Sequence, residues 1–104
     1  MLPPDSQYEE AAVAESKEKV EEPPLFRVLL HNDDYTTMEF VVWVLESVFN
    51  MPEEQAIQVM LNVHLRGIGV AGIYTFEVAE TKVEKTTALA REHEFPLLVT
   101  MEQV

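Results

Sequence analysis

The chain has 104 residues, with seven Lys and Arg against nineteen Asp and Glu, for a formal net charge of −12. That balance argues against nucleic acid or anionic membrane as a partner, since both need clustered cations, and favours basic or cationic partners. There is no cysteine, which excludes disulfides and thiolate metal sites and fits a reducing compartment. No apolar run approaches the roughly 20 residues of a spanning helix. The N-terminus lacks a positive segment ahead of an apolar core, so no secretory leader is visible and a cytoplasmic location is expected.

Residues 1–24 carry seven acidic residues against Lys17 and Lys19 and few large apolar ones. Such a segment buries too little surface to offset its ordering entropy, so 1–24 is expected to be a flexible acidic arm, closed by Pro23-Pro24. Residues 25–104 read as one domain. Leu25–Leu30 has strand composition, and His31–Tyr35 interrupts it with turn formers. Thr36 and Glu39 are spaced as a capping box for a helix from Met38 to about Phe49. Its polar stripe of Glu39, Glu46, Ser47 and Asn50 includes Trp43, the only tryptophan, which is expected to be partly exposed.

Pro52 suits the first turn of a second helix, ended by Gly67, with Ala56, Ile57, Met60, Val63 and His64 on its apolar face. Ile68–Glu77 reads as a glycine-containing loop leading into a strand over about Gly72–Glu77. Ala79–Glu92 is a third helix, with Ala79, Val83, Thr86 and Ala90 facing inward, and Leu97–Met101 a last strand. The order β-α-α-β-α-β predicts an α+β fold: a small three-stranded antiparallel sheet with three helices on one face.

Asn32-Asp33-Asp34 ahead of a capped helix is open to three readings. One is a plain turn and cap. Another is a hard-cation site made by His31, Asp33, Asp34 and His64, although the spacing matches no calcium loop. The third is capture of an ammonium group, whose three donors would meet Asn32, Asp33 and a neutral His64. No nucleophile elbow, phosphate loop or zinc-hydrolase motif is present, so an enzyme is not expected, and no cofactor is implied.

Four stretches, in order, carry a resemblance: Leu30-His-Asn-Asp-Asp-Tyr-Thr-Thr-Met-Glu-Phe-Val41, Met60-Leu-Asn-Val-His64, Gly72-Ile-Tyr-Thr-Phe-Glu-Val-Ala-Glu-Thr-Lys-Val83 and His93-Glu-Phe-Pro-Leu-Leu-Val-Thr-Met101. Over residues 25–104 the chain resembles the ClpS family. The resemblance implies a non-enzymatic adaptor that recognises proteins by a destabilising N-terminal residue (Leu, Phe, Tyr or Trp). Such an adaptor delivers them to a Clp AAA+ unfoldase, ClpA or a relative, for degradation.

By the same resemblance, Asn32, Asp33 and His64 match residues that hold the substrate's α-amino group, and Asp34 and Thr36 line the site near its backbone. Met38, Val41, Val44, Met60, Val63 and Leu97 match the walls of an apolar pocket. Glu77 and Lys82 match a surface that docks on the N-terminal domain of the unfoldase, and the arm matches a segment used in delivery. The chain departs from the family at Thr37, where proline is common, and at Ala71, where cysteine is frequent. The competing readings are a small metal-dependent hydrolase using the His/Asp cluster and a plain protein-interaction domain.

Overall fold

A computed structural model describes residues 22–104; most of the acidic arm inferred for residues 1–24 therefore lies outside the described residues. The elements are β1 (Leu25–His31), α1 (Met38–Ser47), α2 (Glu53–Arg66), β2 (Ile68–Thr75), α3 (Phe76–Glu92) and β3 (Leu98–Gln103). β1 is the central strand and pairs antiparallel with β2 on one side and β3 on the other. The fold is α+β, with the expected element order.

Strand alternation divides the sheet into two unlike faces. Val28 and Leu30 are fully buried beneath the helices, beside Val99 and Ala71. Against them pack Phe40, Val44, Leu45 and Val48 of α1 and its C-terminal turn, Ala56, Val59 and Val63 of α2, and Ala79 and Ala90 of α3. Each large aliphatic side chain so buried contributes about 1.5–3 kcal/mol of transfer free energy, which holds the helices to the sheet. Among the described residues no helix covers the opposite face, which exposes Ile68, Val70, Ile73 and Leu98 beside the Arg27–Glu102 ion pair.

Four local expectations need correction. The cap of α1 is Thr37, whose Oγ1 accepts from the Phe40 N–H at 3.1 Å, and not Thr36. The Thr36 hydroxyl instead turns back into the loop and donates to Asp33 Oδ2 at 2.7 Å. Secondly, the stretch read as a loop from Ile68 is already strand, and Phe76 and Glu77 begin α3 instead of ending β2. Its glycines serve close packing, since a Cβ at Gly69 would lie 2.7 Å from Val63 Cγ2 and 3.0 Å from the Val59 carbonyl oxygen. Only Gly67 among the glycines has positive φ (89°), where it terminates α2 as expected.

Thirdly, the buried face of α2 is Ala56, Val59 and Val63, whereas Ile57 and His64 are exposed and Met60 is half-buried. The helix lies rotated by about one residue from the face first assigned, because the bare backbone at Gly69 admits Val59 and Val63 against β2. Finally, β3 starts at Leu98, and Leu97, expected within it, is a core residue just before the strand. Trp43 is 43% exposed, as its place on the polar stripe of α1 required.

Candidate functional site

At the His31 end of the sheet, the β1–α1 loop and the flank of α2 enclose a cleft of about 390 Å³. One side is polar: Asn32, Asp33, Asp34, Tyr35, Thr36 and Thr37. The other is Met38 and Val41 from α1 with Met60 and Val63 from α2, and His64 stands where the two sides meet. The helical phase explains this placement. Met60 and His64 are one turn apart on the same flank of α2, next to the buried face, so both reach the cleft while Val59 fills the core.

The loop is held by bonds to its own side chains. Asp33 Oδ1 accepts from the Tyr35 N–H at 2.8 Å and the Thr36 N–H at 2.7 Å, and Oδ2 accepts from the Thr36 hydroxyl. This is the turn that Asp is suited to make. The Asn32 N–H donates to the Gly67 carbonyl at 2.9 Å, which ties the loop to the end of α2, beside His64. Partial burial pushes the Asp33 carboxyl up, but the bonds from Thr36 and Tyr35, with the more distant Arg91 charge, outweigh it and hold the group below its usual value. Asp33 is therefore anionic at neutral pH, and with three bonds received it keeps acceptor capacity.

The sequence-inferred residues divide as follows. Asn32, Asp33, Asp34, Thr36, Met38, Val41, Met60, Val63 and His64 come together around the cleft. Val44 and Leu97, assigned to the same pocket, do not line it; they are 0% and 1% exposed and belong to the core. Tyr35 and Thr37 line the cleft although neither was singled out for it; Tyr35, next to Asp34 in an exposed turn, was the legible one.

The His/Asp cluster proposed as a metal site does not form. His31 lies on the other face of the sheet with Nε2 2.7 Å from Thr100 Oγ1. Among the described residues no group of three or more His, Asp and Glu side chains is placed to hold a metal ion.

Glu77 and Lys82 do share a surface hollow, of about 370 Å³, at the N-terminal end of α3 with Val78, Thr81 and Lys85. The Lys82 ammonium donates to the Val48 carbonyl at the end of α1 and lies 5.9 Å from the Phe49 ring centre and 5.8 Å from that of Tyr74.

Chemically the cleft is a small apolar slot with a rim of acceptors and one fixed negative charge. It suits a guest that combines a cation carrying several donors with a large apolar group.

Comparison with known proteins agrees with that chemistry. Residues 21–100 match the family model described as ATP-dependent Clp protease adaptor protein ClpS. The ATP-dependent Clp protease adapter protein ClpS of Myxococcus xanthus is 51% identical over 98 residues, covering 92% of each chain. Its namesake from Desulfatibacillum aliphaticivorans is 58% identical over 90 residues, covering 86% of each. Among solved structures, Agrobacterium tumefaciens ClpS2 bound to L-phenylalaninamide superposes with a TM-score of 0.77 at 42% identity, covering 80% of this chain and all of that one.

Proposed function

We propose a function on one established footing: the chain belongs to the ClpS family. It is an adaptor that binds proteins by an N-terminal Leu, Phe, Tyr or Trp and hands them to a Clp AAA+ unfoldase and its peptidase. It acts in the cytoplasm and carries out no chemistry of its own. The observation that carries this reading is the join of two unlike surfaces in one cleft: acceptors around an anionic Asp33, and an apolar wall directly beside them. L-Phenylalaninamide, the ligand of the Agrobacterium relative, has a free α-amine and a phenyl side chain but no carboxylate, which is the chemistry of a chain that begins with Phe.

In this reading Asn32, Asp33 and His64 hold the α-ammonium group, His64 through a ring nitrogen that accepts. Asp34 and Thr36 lie along the first peptide unit. Met38, Val41, Met60 and Val63 surround the first side chain, with Val44 and Leu97 as packing behind that wall. Two methionines give the slot walls that adapt to rings and branched chains alike. An α-amine has a pKa of about 7.7–8.0, so a free terminus is mostly cationic at neutral pH, whereas internal residues offer no such charge. Glu77 and Lys82 dock on the N-terminal domain of a ClpA-like unfoldase, and the acidic arm of residues 1–24 serves delivery.

The test is fluorescence anisotropy with a Leu-starting peptide, its N-acetylated twin and a Val-starting control. Acetylation should weaken binding by roughly 10- to 100-fold, the value of a charge-assisted hydrogen bond or two. Equal binding of the first two peptides would defeat the reading. A plain interaction domain would show that equality.

A further inference from the structure

Beside the cleft lies a second, wider groove of about 560 Å³, lined by Tyr35, Arg91, Glu94, Phe95 and Pro96. The two hollows share Tyr35, whose side chain is 76% exposed and forms the ridge between them. We propose that this groove seats an apolar, preferably aromatic, side chain from one of the two residues that follow the N-terminal one in a bound protein. The proposal rests on the reading that the cleft holds a chain's first residue.

Both walls rise from backbone that is held by hydrogen bonds. On one side, the Tyr35 N–H donates to Asp33 Oδ1 at 2.8 Å, so the backbone from which the ridge rises is held by a carboxylate of the cleft. On the other, Arg91 donates from a single guanidinium nitrogen to the carbonyls of Phe95 at 2.8 Å and Leu97 at 3.1 Å. The turn is closed by Glu94 N–H to the Arg91 carbonyl at 3.0 Å and Phe95 N–H to the Ala90 carbonyl at 2.8 Å, with Glu94 in the left-handed region at φ 63°. The Phe95 ring packs on Phe40 of α1, with centroids 4.9 Å apart, which anchors the groove to the core. A guest would meet one wall that needs little ordering, and preorganisation of this kind is a large part of affinity.

The lining sets the chemistry of the guest. Two aromatic residues, a proline and an arginine favour a large apolar or aromatic side chain, through burial and through the affinity of arginine for aromatic groups. Arg91 and Glu94 offset each other in charge, so neither a basic nor an acidic guest gains a net ionic advantage. Reach is also adequate. An extended chain advances about 3.3–3.6 Å per residue. A polypeptide anchored by its amine near Asp33 therefore clears a tyrosine ring within one or two residues. The first side chain selects which termini enter, and the groove grades them by what comes next.

The experiment uses the full chain and Leu-starting peptides carrying Gly-Gly, Phe-Gly, Gly-Phe, Glu-Gly or Gly-Glu at positions two and three, each with its acetylated twin. In the wild type, at least one Phe peptide should bind about fivefold tighter than the Gly-Gly peptide, as half-burying a large apolar side chain implies. Pro96→Asp, which puts a carboxylate into the groove and lies outside the cleft, should abolish that gain while leaving the Gly-Gly affinity in place. Pro96→Val should retain the gain, and shows that a loss in the first variant is not a loss of the turn. Equal affinities across the series, a gain for Glu in place of Phe, or a Phe gain that survives Pro96→Asp would each overturn the proposal while the terminal-residue reading stands. Loss of the difference between free and acetylated Gly-Gly peptides in the wild type would instead overturn that reading and this proposal with it.

Discussion

One substitution can separate the loop bonds and the charge of Asp33. Its oxygens staple the loop by accepting from Tyr35 and Thr36, and its charge faces the cleft. Asp33→Asn keeps an acceptor for the two backbone N–H groups and removes the charge. The variant should fold with near-native stability but bind a Leu-starting peptide roughly 10- to 100-fold more weakly, since bonds to charged groups contribute about 1.5–3 kcal/mol. Anisotropy and urea unfolding on the same preparation check both halves, and unchanged affinity would take the charge out of recognition. The pH dependence has a definite sign. A carboxyl held below its usual value when folded adds stability above its unfolded pKa, and that stability disappears as pH falls through the lower folded value. Asp33 thus stays ionised through mild acid and causes no loss of binding between pH 7 and 5. The alkaline loss belongs to the guest, whose amine deprotonates at about 8.

At the scale of elements, the helix cap that spacing assigned to Thr36 belongs to its neighbour Thr37. Thr37→Ala removes the α1 cap and should cost about 1 kcal/mol in urea unfolding with little change in peptide affinity. Thr36→Ala frees Asp33 Oδ2 and should act chiefly on affinity; the reverse pattern would return the cap to Thr36. Both hydroxyls suit a cap, and what distinguishes them is a bond to a side chain three residues earlier, which periodicity does not encode. The same limit explains the other differences. Apolar spacing was enough to find β1 and three helices, and their order implied the sheet. Whether a glycine marks a turn or a close approach depends on what packs over it, and at Gly69 that is Val59 and Val63, on another element. The flank of α2 that faces the cleft likewise depends on how the helix is seated. Nine of the eleven residues read as binding an amine, a backbone or a side chain surround the cleft, because the motifs that carry them are contiguous. Val44 and Leu97 are apolar like the pocket wall, and sequence does not separate a wall from what supports it.

Across the whole molecule, β1 sets the distance between the cleft and the start of α3 by its own length. The cleft lies at its His31 end, while residues 22–24 enter at Leu25, which pairs with Thr75 just before Phe76 and Glu77 open α3. Seven strand residues put those ends about 20 Å apart. A guest in the cleft would therefore sit away from residues 22–24 and from the Glu77–Lys82 hollow, so that the two surfaces could be engaged together. The net charge of −12 should draw a cationic terminus inward over distances longer than any contact. Added salt shortens that reach from about 10 Å at 0.1 M to about 3 Å at 1 M. Stopped-flow association of a Leu-starting peptide should therefore slow several-fold between 0.02 M and 0.5 M salt, with dissociation changing less, because groups in contact within the cleft are poorly screened. The slowing should be steeper for a peptide with lysines downstream and shallower for one with glutamates. An association rate indifferent to salt in all three peptides would mean that the acidic surface serves solubility alone.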